Sequence, residues 1–90
     1  MKELLRFTST GTNGINIFIP PKFEFVFYDN KLEMYKKKKL VRTINYEDIK
    51  EVVLIKNWMK TIFISANPIG INIYNVTDET YAKVKEIIGK

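Results

Sequence analysis

Four consecutive lysines, Lys36, Lys37, Lys38 and Lys39, with Arg42 close behind, are the residues here best placed to do chemistry, and that chemistry is attraction of anions. Between Lys31 and Arg42 lie six basic residues against the single acid Glu33, while the nine basic and nine acidic residues elsewhere cancel. The formal charge of +5 is therefore the charge of one short segment. Such a cluster attracts an anionic membrane surface, at about 1 kcal/mol per nearby Lys or Arg, or a phosphate backbone. The competing reading is a solvated loop whose lysines keep a strand edge from pairing with other chains. Charged residues are more often simply surface.

A second candidate is the segment Lys56-Asn57-Trp58-Met59-Lys60. A lone Trp beside Met at a hairpin tip, flanked by Lys56 and Lys60, suits a wedge at a membrane interface. It equally suits an anchor for a protein partner. The alternative is that Trp58 folds back over the core, as a lone Trp in a small domain usually does. Phe23, Phe25 and Phe27 could stack nucleic-acid bases, but their alternation assigns all three to the core. Glu47, Asp48 and Glu51 could hold a metal or move protons, yet no further ligand is fixed, and Glu47-Asp48 is ordinary bend composition. Gly11 and Gly14 lack the Lys-Ser/Thr that would complete a phosphate-binding loop.

The sequence has no histidine and no cysteine. That removes thiolate metal sites, disulfides, Ser-His-Asp and Cys-His arrangements and the usual neutral-pH proton shuttle. The expectation is a noncatalytic protein without cofactor or metal. For a nucleic-acid binder, charge confined to one loop falls short of the extended stripe expected.

The elements that must carry these residues read mainly as strands. The 90 residues make one domain spanning 1–90, rich in Ile, Val, Phe and Tyr and with Ala only at Ala66 and Ala82. Residues 3–9 read as a first strand, and Thr10-Gly11-Thr12-Asn13-Gly14 as a turn whose glycines supply positive φ. Ile15, Ile17 and Ile19 alternate as a second strand, which Pro20-Pro21 ends. Further strands are expected at 23–28, 31–35, 40–44, 51–55, 61–65 and 71–74. Asp29-Asn30 is a tight turn, 36–39 a loop, 45–49 a short helical turn, and Asn67-Pro68-Ile69-Gly70 a turn. The period then changes: Tyr81, Val84, Ile87 and Ile88 share one helical face, with Thr77-Asp78-Glu79 at its start and Gly89 at its stop. The N-terminal Met1-Lys2-Glu3-Leu4-Leu5-Arg6 is no signal peptide, and no stretch approaches a membrane span. Both suggest a cytoplasmic protein.

Six or more short strands closed by a single C-terminal helix would leave an open barrel end for that helix to plug. Residues 27–35 and 40–44, then Tyr46-Glu47-Asp48-Ile49-Lys50-Glu51-Val52, carry a resemblance to the pleckstrin-homology-like superfold, and to its small bacterial members in particular. Those domains show a hairpin and then a polar-apolar-x-aromatic-x-Asp-Ile-x-x-Val passage, which residues 43–52 follow. The resemblance covers roughly residues 23–88 and places the helix at 78–88. It implies an antiparallel barrel or sandwich of about seven strands capped by that helix. The superfold hosts lipid binders, peptide binders and structural modules, so it implies binding without naming a ligand. In its phosphoinositide-binding members the basic residues lie in an earlier hairpin loop than Lys36–Lys39.

Two expectations follow. One is peripheral association with an anionic membrane surface through Lys36, Lys37, Lys38, Lys39 and Arg42, assisted by Trp58. The other is a protein-interaction or homo-oligomerisation module using a strand edge or the Trp58–Met59 tip.

Overall fold

The computed structural model describes residues 2–13, 21–56 and 59–90. Alternating apolar residues set the strands: β1 Glu3–Thr12, β2 Lys22–Tyr28, β3 Lys31–Lys36, β4 Lys39–Asn45, β5 Ile49–Lys56, β6 Lys60–Ala66 and β7 Ile71–Ile73. A 3-10 turn, Tyr46–Asp48, joins β4 to β5, and α1 spans Asp78–Ile88. Among the described residues these seven strands form one sheet in the order β4-β3-β2-β1-β7-β6-β5, every neighbouring pair antiparallel.

The sheet is open, so a barrel or sandwich describes it only loosely. Closure would need β4 to pair with β5, and no such ladder exists among the described residues. The 3-10 turn shows why. The Tyr46 amide donates to the Asn30 carbonyl at 3.1 Å, and its buried phenol donates to the Tyr28 carbonyl. The chain is thereby anchored against the β2–β3 turn and released toward β6, so β5 pairs there and leaves β4 as the opposite edge.

Helix α1 covers the core where the sheet does not close. Thr77 caps its start, accepting from the Thr80 amide at 3.1 Å, and Gly89 ends it at φ 79°. At the first end Lys60 Nζ pairs with Asp78 at 3.1 Å. At the other, Lys90 Nζ donates to the carbonyls of Tyr46 and Ile49, each at 2.6 Å, beside the gap between the edge strands. Val84 and Ile88 are buried, with Tyr81 and Ile87 partly so. Burying each of the first two contributes about 1.5–3 kcal/mol.

The core takes the inward residues of both halves of the sheet. Phe25, Phe27, Leu32 and Met34 meet Ile62, Ile64, Ile71 and Ile73, all fully buried. Phe7 packs on Phe25 and Phe27, with ring centroids 5.5 and 5.9 Å away. Phe23, Phe25 and Phe27 are therefore core residues and not a base-stacking platform.

Gly11 does different work from that expected. The chain does not turn at residue 10; β1 continues through Thr12. It pairs with β2 as far as Thr10 and with β7 from Gly11 onward. A Cβ at Gly11 would lie 2.5 Å from the Asn72 carbonyl oxygen. The glycine permits the close approach by which one strand serves both halves of the sheet. The strand expected at Ile15–Ile19 lies outside the described residues. The loop expected at 36–39 is shorter: Lys36 and Lys39 are paired strand ends, and only Lys37 and Lys38 turn.

Candidate anion-binding surface

The lysine run sits at the end of the β3–β4 hairpin. Lys37 and Lys38 hold φ of 51° and 67°, the positive values at both central positions that mark a type I′ turn. Asn-Gly suits such a turn; lysine pays a steric penalty there. Lys36, Lys37, Lys38 and Lys39 are all exposed.

The nearby acids are already engaged. Glu33 accepts from the Tyr35 phenol at 2.7 Å and lies 3.4 Å from Lys31 Nζ. The Tyr35 hydrogen bond holds the Glu33 carboxyl below its ordinary value, helped by Tyr28 and Lys31 and opposed by burial. The same hydrogen bond, with burial, pushes Tyr35 up to about 12. Glu24 is paired with Arg6 at 3.1 Å, and Arg6 also grips Glu3 at 2.7 Å. Among the described residues, which include every acid of the chain, no ion pair involves Lys36–Lys39. The turn carries its positive charge uncompensated.

Arg42 is set apart from the lysines. It lies opposite Met34 on the core-facing side of β4 and is half-buried. Its Nη1 donates to Asn13 Oδ1 at 2.8 Å and its Nη2 to the Ile69 carbonyl. Both acceptors are neutral, and burial lowers its pKa. The arginine thus ties the end of β1 and the β6–β7 turn to β4.

Exposed apolar side chains lie next to the lysines and in the β6–β7 turn, a feature which alternation alone does not show. Leu40 and Val41, next to the lysines, are 51% and 42% exposed, and Ile69, held beside β4 by Arg42, is 47% exposed. A register shift in the β3–β4 ladder inserts Val41 as an extra residue. The sequence signal was the adjacent apolar pair Leu40-Val41, out of step with a period of two.

The other candidates separate. In the second segment, Asn57 and Trp58 lie outside the described residues. Lys56 is exposed, Met59 half-buried, and Lys60 engaged with Asp78. Glu47, Asp48 and Glu51 are exposed, and no cluster of three metal-ligating side chains occurs among the described residues. Glu47 lines an open cleft of about 430 Å³ with Asp29, Asn30 and Tyr46. No helix of the described residues is long and apolar enough to cross a membrane.

Fold and site together define a mainly β protein, an open seven-stranded antiparallel sheet with one C-terminal helix, bearing an uncompensated basic turn. No protein-family model matches the chain, and no curated protein matches it either.

Proposed function

We propose that this chain is a noncatalytic binding module of pleckstrin-homology-like type that associates peripherally with anionic surfaces through the Lys36–Lys39 turn. The single observation carrying the reading is that four exposed lysines share one hairpin end with no acid paired to any of them. The strand order and the C-terminal helix support the likeness to that superfold. Binding is favoured over catalysis because the displaced titrations have structural causes: the Tyr35 hydrogen bond for Glu33, burial for Tyr46 and burial for Arg42. A cytoplasmic location goes with this reading, since the cytoplasmic leaflet is the anionic one.

Four lysines supply about 4 kcal/mol at such a surface, which corresponds to a dissociation constant of about 1 mM. The attraction must fade as salt shortens the Debye length. Co-sedimentation with phosphatidylserine-containing and pure phosphatidylcholine vesicles at rising salt tests this. Binding confined to the anionic vesicles, lost with salt and lost on changing Lys36–Lys39 to Gln, is expected. Binding indifferent to both changes would overturn it.

A second reading, a protein-interaction or self-association module, is favoured by β5. This strand is an edge of the sheet among the described residues and exposes Val53 and Ile55 at 36% and 40%. Its association would tolerate salt and depend on those two residues, which sedimentation of Val53→Lys would reveal.

A further inference from the structure

We infer that Leu40 and Val41 form, with the lysine turn, one amphipathic insertion surface for an anionic bilayer, the aliphatic side chains entering the headgroup boundary while the lysines hold its charge. The inference rests on the proposed function above and deepens it by naming the apolar half of the contact.

Two observations converge. Leu40 and Val41 follow the last lysine directly, so charge and apolar surface are covalently adjacent. Both side chains are exposed, Leu40 at 51% and Val41 at 42%.

Charge complementarity selects the occupant. A cationic surface with aliphatic side chains at its border matches an anionic headgroup layer over hydrocarbon. Lysine adds to the match, because its long aliphatic stem can lie in the apolar boundary while the ammonium stays with the phosphates. Electrostatics alone reaches only weak binding, so the aliphatic contribution decides whether the protein stays on the surface. A single acyl chain is likewise marginal until a basic patch is added.

The absence of cysteine permits a direct test. In the full chain, Val41→Cys carrying an environment-sensitive fluorophore should shift to the blue with phosphatidylserine-containing vesicles and not with phosphatidylcholine alone. The same label at Val53→Cys, on β5, should stay unchanged. The unlabelled double variant Leu40→Ser/Val41→Ser, checked for folding by circular dichroism, should bind such vesicles about tenfold more weakly. Lysine-dependent binding with a silent Val41 label and undiminished double-variant affinity would overturn insertion and leave the proposed function standing. No binding to anionic vesicles at all would overturn both. An equal label response to poly-glutamate in place of vesicles would overturn the bilayer as the occupant.

Discussion

Arg42 Nη1 donates to Asn13 Oδ1 across 2.8 Å, joining the middle of β4 to the end of β1 although 29 positions separate the two residues. With the second bond to the Ile69 carbonyl, one half-buried guanidinium ties the edge strand β4 to two segments with which it forms no ladder. A planar fork can satisfy two diverging acceptors at once, where an ammonium serves as a point charge.

Arg42→Ala should therefore lower stability by about 1.5–3 kcal/mol, the range for hydrogen bonds to a charged group. Urea denaturation measures this. Vesicle binding by the folded fraction should fall much less than for the Lys36–Lys39 variant. An unchanged urea midpoint with abolished binding would instead assign Arg42 to the anion surface.

The turn makes an opposite pair of effects testable. Lys37 and Lys38 occupy the left-handed region, at a cost of roughly 1 kcal/mol or more each. Lys37→Asn/Lys38→Gly should raise stability by about 1–2 kcal/mol while weakening binding to anionic vesicles. A variant that is no more stable would show that the lysines are not held there at a cost.

Two glycines should respond differently to alanine. At Gly11 the new Cβ would meet the backbone oxygen of Asn72 at 2.5 Å and Phe25 at 3.1 Å. Forcing those strands apart should cost about 2–4 kcal/mol. At Gly89 nothing lies within 4 Å, and only the φ of 79° opposes the change, so about 1 kcal/mol is expected. Thermal melts of the two variants give the comparison.

Stability should fall at both pH extremes, and the signs follow from Glu33 and Tyr35. Glu33 is depressed below 4.5 in the folded protein, so its contribution is present above that value. It is lost as pH falls from there through the depressed pKa. Tyr35 is raised from 10 to about 12, so its contribution is complete below 10 and is lost as pH rises through 12. Glu33→Gln should flatten the acid limb of a stability–pH profile followed by urea midpoints, and an acid limb unaltered in that variant would remove Glu33 as its source.

Much of the architecture was legible from spacing. The strands at 23–28 and 31–35 and the capped helix at 78–88 carry strong local signals and appear close to their expected bounds, and the helical turn or bend expected at 45–49 is the 3-10 turn Tyr46–Asp48. The inward placement of Phe23, Phe25 and Phe27 followed from a side-chain period of two. The candidate site was half legible. The lysine run is a matter of composition, but Arg42 was grouped with it on proximity in sequence alone.

The sequence by itself determined the element types, the core-facing residues and the concentration of positive charge, because these depend on local periodicity and residue chemistry. The tertiary structure decided three things. It left the sheet open, because the anchored 3-10 turn sends β5 to β6. It made Gly11 a point of close approach rather than a turn, because β1 serves two ladders. It tied the end of β1 and the β6–β7 turn to β4, because Arg42 reaches two acceptors from segments far apart in the chain. Each is a relation between residues distant in sequence, and no local pattern encodes which distant partner a side chain will meet.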